Sequence, residues 1–253
     1  MKANGAAFGL VHIDAGHHRA TCEWHDNDHK AEVIGSLPGV YSTQRWVTPP
    51  EWMKLRAPND LPFAGGEYIN MYWTTETGEE LSARFGELGR QLEAAGRLEP
   101  MAYWKGCWPR VDGGPGWYPT TVIAAEKAIT SAEGVLASIG MTGLVSVIEI
   151  AHDGVDAQEV RRRQSNEIIP AAIATGLFEG AAQLNSDRPG LEGTSVLLYY
   201  VNADDPAEVF DEYRRFNEAK LKTDKLFATH QGSVRTVFES VSRPSMGHYE
   251  YYD

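Results

Sequence analysis

The sequence predicts an α+β fold made of two tandem β-α-β-β-α-β units, and two observations carry that prediction: the order in which the periodicities follow one another, and a self-similarity between the two halves. In the first half, residues 9–14 alternate as a strand does, and residues 19–26 have polar helical character with Cys22 and Trp24 as apolar positions. The Leu37-Pro38-Gly39 turn leads into a β-rich run over 40–47, and 67–74 (EYINMYWT) is another. Residues 77–96 place Leu81, Phe85, Leu88 and Leu92 at the spacing of an amphipathic helix, and 101–108 reads as a last strand.

The second half repeats this order: a strand over 143–150, a helix over 157–173, strands over 176–184 and 194–201, a helix over 206–221 and a final strand over 233–240. Pairing Gly39 with Gly176 sets an offset of 137 residues, which puts His12 opposite Glu149 and His29 opposite Asn166 without a gap. Further on, 66–73 aligns with 193–200. The interval from Gly39 to Gly66 is 27 residues against 17 from Gly176 to Gly193. The extra residues fall in TPPEWMKLRAPNDLPF, where the prolines with Trp52, Met53 and Phe63 suit a semi-rigid lid over an apolar cavity. The expected division is a first module over 1–111, a connecting segment over 112–140 with a GGPG loop at 113–116 and a helix over 124–139, and a second module over 141–253.

Composition narrows the function. A net charge of -12 and a pI near 5.1 exclude a polynucleotide groove, since the one basic cluster is the short run Arg161, Arg162, Arg163. The N-terminal apolar run is interrupted by His12 and Asp14 and does not read as a signal peptide, and no apolar run is long enough to span a bilayer. A soluble, cytoplasmic protein with no membrane partner is expected. Cys22 and Cys107 are too few for a disulfide framework or a zinc site.

Residues 23–46, EWHDNDHKAEVIGSLPGVYSTQRW, hold Trp24, Asp28, His29, Pro38, Gly39, Val40, Arg45 and Trp46 in an order that resembles the signature of the dimeric α/β-barrel superfamily, to which EthD-like proteins belong. The resemblance implies two ferredoxin-like modules whose sheets close an α/β barrel inside one chain. It also implies that His29 stands where some members keep an acid/base histidine, and Arg45 where the family has its strand-two arginine.

His29 is therefore the first catalytic candidate, as general base or acid; the competing reading is a cap on a broken helix. His12 is the second, as an acid or a donor to a developing oxyanion, with Asp14 or Glu149 to orient it; the competing reading is a hydrogen-bonded core histidine. Strand alternation groups His12, Asp14 and Glu149 on the inner face and sends Ile148 and Ile150 toward the helices. Tyr68, Asn70, Tyr72, Arg45, Trp24 and Glu149 are expected to contact substrate. At the offset of 137, Arg161 replaces Trp24, Asn166 replaces His29 and Ala182 replaces Arg45, so the ionisable set survives in the first half. All seven Trp also lie there, which suits a planar aromatic ligand.

His17, His18, His25, Asp26, Asp28 and His29 crowd into thirteen positions, but the 25/29 pair straddles a helix end and no HExxH accompanies it, so neither a metal nor a haem is expected. GGPG carries no phosphate-loop signature, so no nucleotide is expected either. With no cofactor, the expectation is a lyase, dehydratase or isomerase that moves protons on an aromatic or polyketide-like small molecule. The alternatives are a cofactorless monooxygenase of the same fold and a non-catalytic binding or accessory protein. The substrate is the expected partner, together with a homo-oligomer formed through the outer faces.

Overall fold

The computed structural model describes residues 2–57, 65–109, 116–128, 130–137, 140–245 and 251–252. The end of the expected lid (58–63), residues 113–115 of the GGPG run, and residues 129, 138 and 139 of the expected connecting helix lie outside them. The chain divides into two units: Met1–Lys54, Pro62–Tyr118 and Arg243–Asp253 form the first, and Leu55–Leu61 with Pro119–Ser242 the second.

The first unit runs β1 (Gly5–Ile13), α1 (His18–Trp24), a π-helical turn (His25–His29), α2 (Lys30–Ser36), β2 (Val40–Val47), α3 (Pro50–Met53), β3 (Tyr68–Thr74), α4 (Gly78–Ala94) and β4 (Trp104–Trp108). Its antiparallel sheet has the order β4-β1-β3-β2. Local chemistry sets the boundaries. Thr77 and Glu80 form a reciprocal capping box at the start of α4, whose buried Leu81 and Leu88 pack with Val33, Leu37, Val40 and Tyr72. Gly39, at φ +96°, reverses the chain between α2 and β2 in a conformation that other residues adopt only with strain.

The second unit repeats the plan with β5 (Trp117–Ala124, which begins in the first unit), α5 (Ala132–Leu136), β6 (Gly143–Ala151), α6 (Ala157–Arg163), a second π turn (Gln164–Ile168), α7 (Ile169–Ile173), β7 (Gly180–Ser186), β8 (Thr194–Val201), α8 (Pro206–Thr223), α9 (Lys225–Gln231) and β9 (Val234–Pro244). The sheet order β9-β6-β8-β7 is the counterpart of β4-β1-β3-β2. Asp156, Asp205 and Asp224 cap α6, α8 and α9 by accepting from backbone N–H groups. Both units are ferredoxin-like, and the chain is α+β.

Three expectations need correction. The helix expected over 124–139 is strand β5 up to Ala124 and then only the short α5. The helix over 157–173 is broken by a π turn. The repeat offset of 137 is also one short in the strands. Ladder pairing sets Val11 against Tyr68 and Glu149 against Ser195, so with Tyr68 matched to Ser195 the counterpart of Glu149 is Val11 rather than His12. A slip of one residue moves every side chain to the other face. Glu149 faces the helices, where it bonds Gln164 and His230, and Ile148 and Ile150 face away from them. By the same ladders Arg45 corresponds to Gln183, not Ala182. The two π turns match at 139, setting His25 against Gln164, Asp26 against Ser165, and Trp24 against Arg163.

Candidate active site

In the first unit a buried polar cluster lies between the sheet and the π turn. A π turn adds one residue to a helical turn and rotates the residues beyond it, and such turns are frequent at functional sites. Here it turns His25 and Asp26 onto β2 and β3. His25 Nε2 is 3.0 Å from the Tyr72 hydroxyl, and its Nδ1 is 3.6 Å from Asp26 Oδ1. Asp26 also receives Lys30 Nζ at 2.6 Å and the Ser245 hydroxyl at 3.0 Å, and Arg45 Nη1 stands 3.8 Å from it. Arg45 Nε donates to Asn70 Oδ1 at 3.1 Å, and the guanidinium lies 4.2 Å above the Tyr68 ring. Arg45 and Asp26 side chains have no exposed surface.

The electrostatics follow from that burial. Desolvation pushes His25 down to about 3, so its imidazole is neutral at physiological pH. Burial also pushes the Tyr72 phenol well up, and it stays protonated. Asp26 is buried too, which alone would raise it. The adjacent His25 ring and the charges of Arg45 and Lys30 outweigh this and hold it well below the usual carboxylate range. The cluster is thus a neutral imidazole–phenol pair beside a fixed ion pair. It can stabilise charge on a bound group, but it does not itself titrate near neutrality.

Arg45, Asn70, Tyr68 and Tyr72 were expected from the sequence to contact substrate, and the fold places all four here. His29 and Trp24 lie at the outer side of the π turn. Their rings stack at 4.7 Å, Trp24 Nε1 donates to the Arg97 carbonyl, and the His29 ring centre is 5.5 Å from that of His25. Burial lowers His29, against the opposing pull of Glu32 and Asp28. His12 is on the opposite face of the same sheet. Its Nδ1 is 2.8 Å from Glu67, so its orienting carboxylate is neither Asp14 nor Glu149. Glu67 is raised by burial, with His12 pulling the other way. Glu149 belongs to the second unit, where Gln164, His230 and Thr236 surround it. His25 and Asp26 were missed as site residues, because the period of an unbroken helix does not bring them inward. The one signal was the spacing of His25 four residues before His29.

The second unit has the same backbone distortion and a different solution. Gln183 Nε2 donates to Gln164 Oε1 at 2.7 Å, its Oε1 accepts from Thr120 and Ser165, and Gln164 Nε2 donates to Glu149 at 2.8 Å. Amides and hydroxyls stand there in place of the Asp26–Arg45 pair.

No family model matches the chain, and no curated protein matches it. Solved structures do. DyPB from Rhodococcus jostii RHA1 matches with a TM-score of 0.55 at 12% identity, covering 99% of this chain and 96% of that one. A dye-decolorizing peroxidase from Bacteroides thetaiotaomicron VPI-5482 matches at 0.53 and 8%, covering 96% and 93%. A protein assigned as a monooxygenase from Fusobacterium nucleatum matches at 0.53 and 8%, covering 94% and 89%. The likeness is one of fold. It is the tandem ferredoxin-like fold of the dimeric α+β-barrel type. The expectation of a cofactor-independent lyase, dehydratase or isomerase is corrected here, because the structures that share the fold are described as peroxidases and a monooxygenase, which are oxidative enzymes.

A variant of the Rhodococcus protein was solved in complex with heme. Haem iron takes an imidazole nitrogen that is free to meet it. Of the buried histidines, His230 Nε2 is 2.9 Å from Glu149, His25 Nε2 is on Tyr72 and His18 Nδ1 is 3.1 Å from the Tyr68 hydroxyl, while Nδ1 of His25 and of His230 makes no hydrogen bond with the described residues. Among them, no three His, Cys, Asp or Glu side chains converge to hold a metal ion, and no helix is long and apolar enough to cross a membrane.

Proposed function

We propose that this chain is an oxidoreductase that uses dioxygen or a peroxide to oxidise a small aromatic molecule, with its active site at the π-turn cluster of the first unit. The observation that carries the reading is the convergence of His25, Arg45, Asn70 and Tyr72, two hydrogen bonds of 3.0 and 3.1 Å and one buried ion pair, from elements far apart in the sequence. The descriptions of the solved structures with this fold support the oxidative class. In this reading His25 Nε2–H donates to the Tyr72 oxygen, which leaves the phenolic proton for a substrate oxygen, and Tyr72 and Arg45 together stabilise the negative charge that develops there. Asn70 fixes the guanidinium. The proton lost from the substrate oxygen passes to His29, at the outer side of the same turn, and on to solvent, while the electrons lost by the substrate reduce the dioxygen or peroxide. An EthD-like pattern in the first module, a cytoplasmic location and association into a homo-oligomer belong to the same proposal.

The test is oxidation of an electron-rich phenol such as guaiacol by the purified chain, followed by oxygen electrode and, separately, by peroxide consumption. Turnover with either oxidant supports the reading. A folded protein that oxidises no phenol with either oxidant would overturn it.

A further inference from the structure

We infer that Arg45 is the anchor of a site for an organic anion, a carboxylate or phenolate, in the first unit beneath the π turn. The inference rests on the reading above for the place of the site and adds the charge of what fills it. A guanidinium carries five N–H donors and no acceptor. One of Arg45's, on Nε, is used on Asn70. Nη1 and Nη2 are buried and make no hydrogen bond with the described residues. The nearest carboxylate, Asp26, is 3.8 Å from Nη1, and its oxygens are taken up by Lys30 at 2.6 Å and Ser245 at 3.0 Å. The remaining neighbour, the Tyr68 ring at 4.2 Å, covers a face of the guanidinium and leaves its donor edge unmatched.

The second unit provides the comparison. At the ladder position equivalent to Arg45 it has Gln183, whose amide oxygen and nitrogen are both hydrogen-bonded, to Ser165, Thr120 and Gln164. The same fold and the same helical distortion thus occur once with the polar groups matched and once with the edge of a guanidinium left over. A planar fork of donors is the geometry that takes a carboxylate with two parallel bonds. Because Lys30 and Arg45 face one Asp26 while His25 is neutral, the missing partner is an anion rather than a neutral carbonyl.

Benzoate is the probe and benzamide its neutral comparator, titrated calorimetrically into the full chain at pH 7 and into Arg45→Gln, the residue that the second unit uses at this place. The expected result is that benzoate binds more tightly than benzamide, and that Arg45→Gln weakens benzoate by about ten- to a hundredfold while benzamide changes little. Equal binding of the two probes, benzoate binding indifferent to Arg45→Gln, or no benzoate binding, as when only water fills the edge, would overturn the site. If Arg45→Gln does not fold, the contrast between benzoate and benzamide on the unaltered chain decides alone. Benzoate bound at Arg45 in a protein that oxidises no phenol would keep the anion site and remove the oxidative reading. Phenol oxidation with no preference for the anion would do the reverse.

Discussion

Asp26→Asn is the perturbation that tests the buried cluster most sharply. The substitution preserves shape and leaves an acceptor for Ser245, but removes the negative charge that faces Lys30 at 2.6 Å and Arg45 at 3.8 Å in a place with no exposed surface. Breaking a buried ion pair by neutralising one partner costs about 3–5 kcal/mol, because the other charge stays buried without its counterpart. For a chain of this size each kcal/mol moves the melting temperature by about 2–4 °C, so a fall of about 6–20 °C is expected. The pH dependence has a definite sign. Asp26 has a folded pKa below that of an unfolded carboxylate, so its contribution is complete above about pH 4 and is lost as pH falls from there toward the folded value. Urea titrations of both proteins from pH 7 to pH 3 measure this directly. The gap between them should be widest at pH 7 and should narrow on acidification. Ser165→Ala, at the matching position of the second unit, should cost only about 1 kcal/mol and show no such narrowing. A gap under about 1 kcal/mol at pH 7, or one that stays constant down to pH 3, would refute the assignment of a working ion pair.

Two further outcomes rest on local geometry. Gly39→Ala should destabilise the chain by about 1–2 kcal/mol in urea titration, because φ is +96° and the added Cβ would meet Thr75 Oγ1 at 3.0 Å; Gly16→Ala, at φ +82° with open space around it, should cost less. Glu67→Gln should gain on the unaltered chain as pH rises from about 4 to 7. Burial raises the folded pKa of Glu67, so ionising it costs stability in that window, and urea midpoints that move the opposite way would contradict this.

Much of the fold was legible because strands and turns are specified locally. The β-rich runs over 40–47 and 194–201 coincide with β2 and β8, and Gly39 and Gly176 both take the positive φ that their turns require. The faces were less legible. The loop before α6 is one residue longer than the loop before α1, so the repeat offset rises from 138 in the strands to 139 in the π turns, and a single offset of 137 put Glu149 on the wrong side of its sheet. Within each helix the π turn inserts a further residue. The same insertion hid His25 and Asp26, which an unbroken helix would not bring onto Arg45 and Tyr72 together. Residues in strands were easier: Tyr68, Asn70 and Tyr72 share a face by alternation alone, and the ladder brings Arg45 to Asn70. Chemistry was the least legible, since a superfamily signature fixes a scaffold on which many reactions occur.

In the proposed reading the first unit carries the chemistry and the second, built on the same plan, does not. Tyr72 and Tyr199 occupy equivalent places on β3 and β8, Tyr72 on His25 and Tyr199 against Phe178 and Tyr213. The most direct measurement is kcat/KM for phenol oxidation in Tyr72→Phe and Tyr199→Phe, each checked for folding by circular dichroism. Tyr72→Phe should lower kcat/KM by about a hundredfold or more, while Tyr199→Phe should leave it unchanged. Equal effects, or a loss confined to Tyr199→Phe, would contradict it.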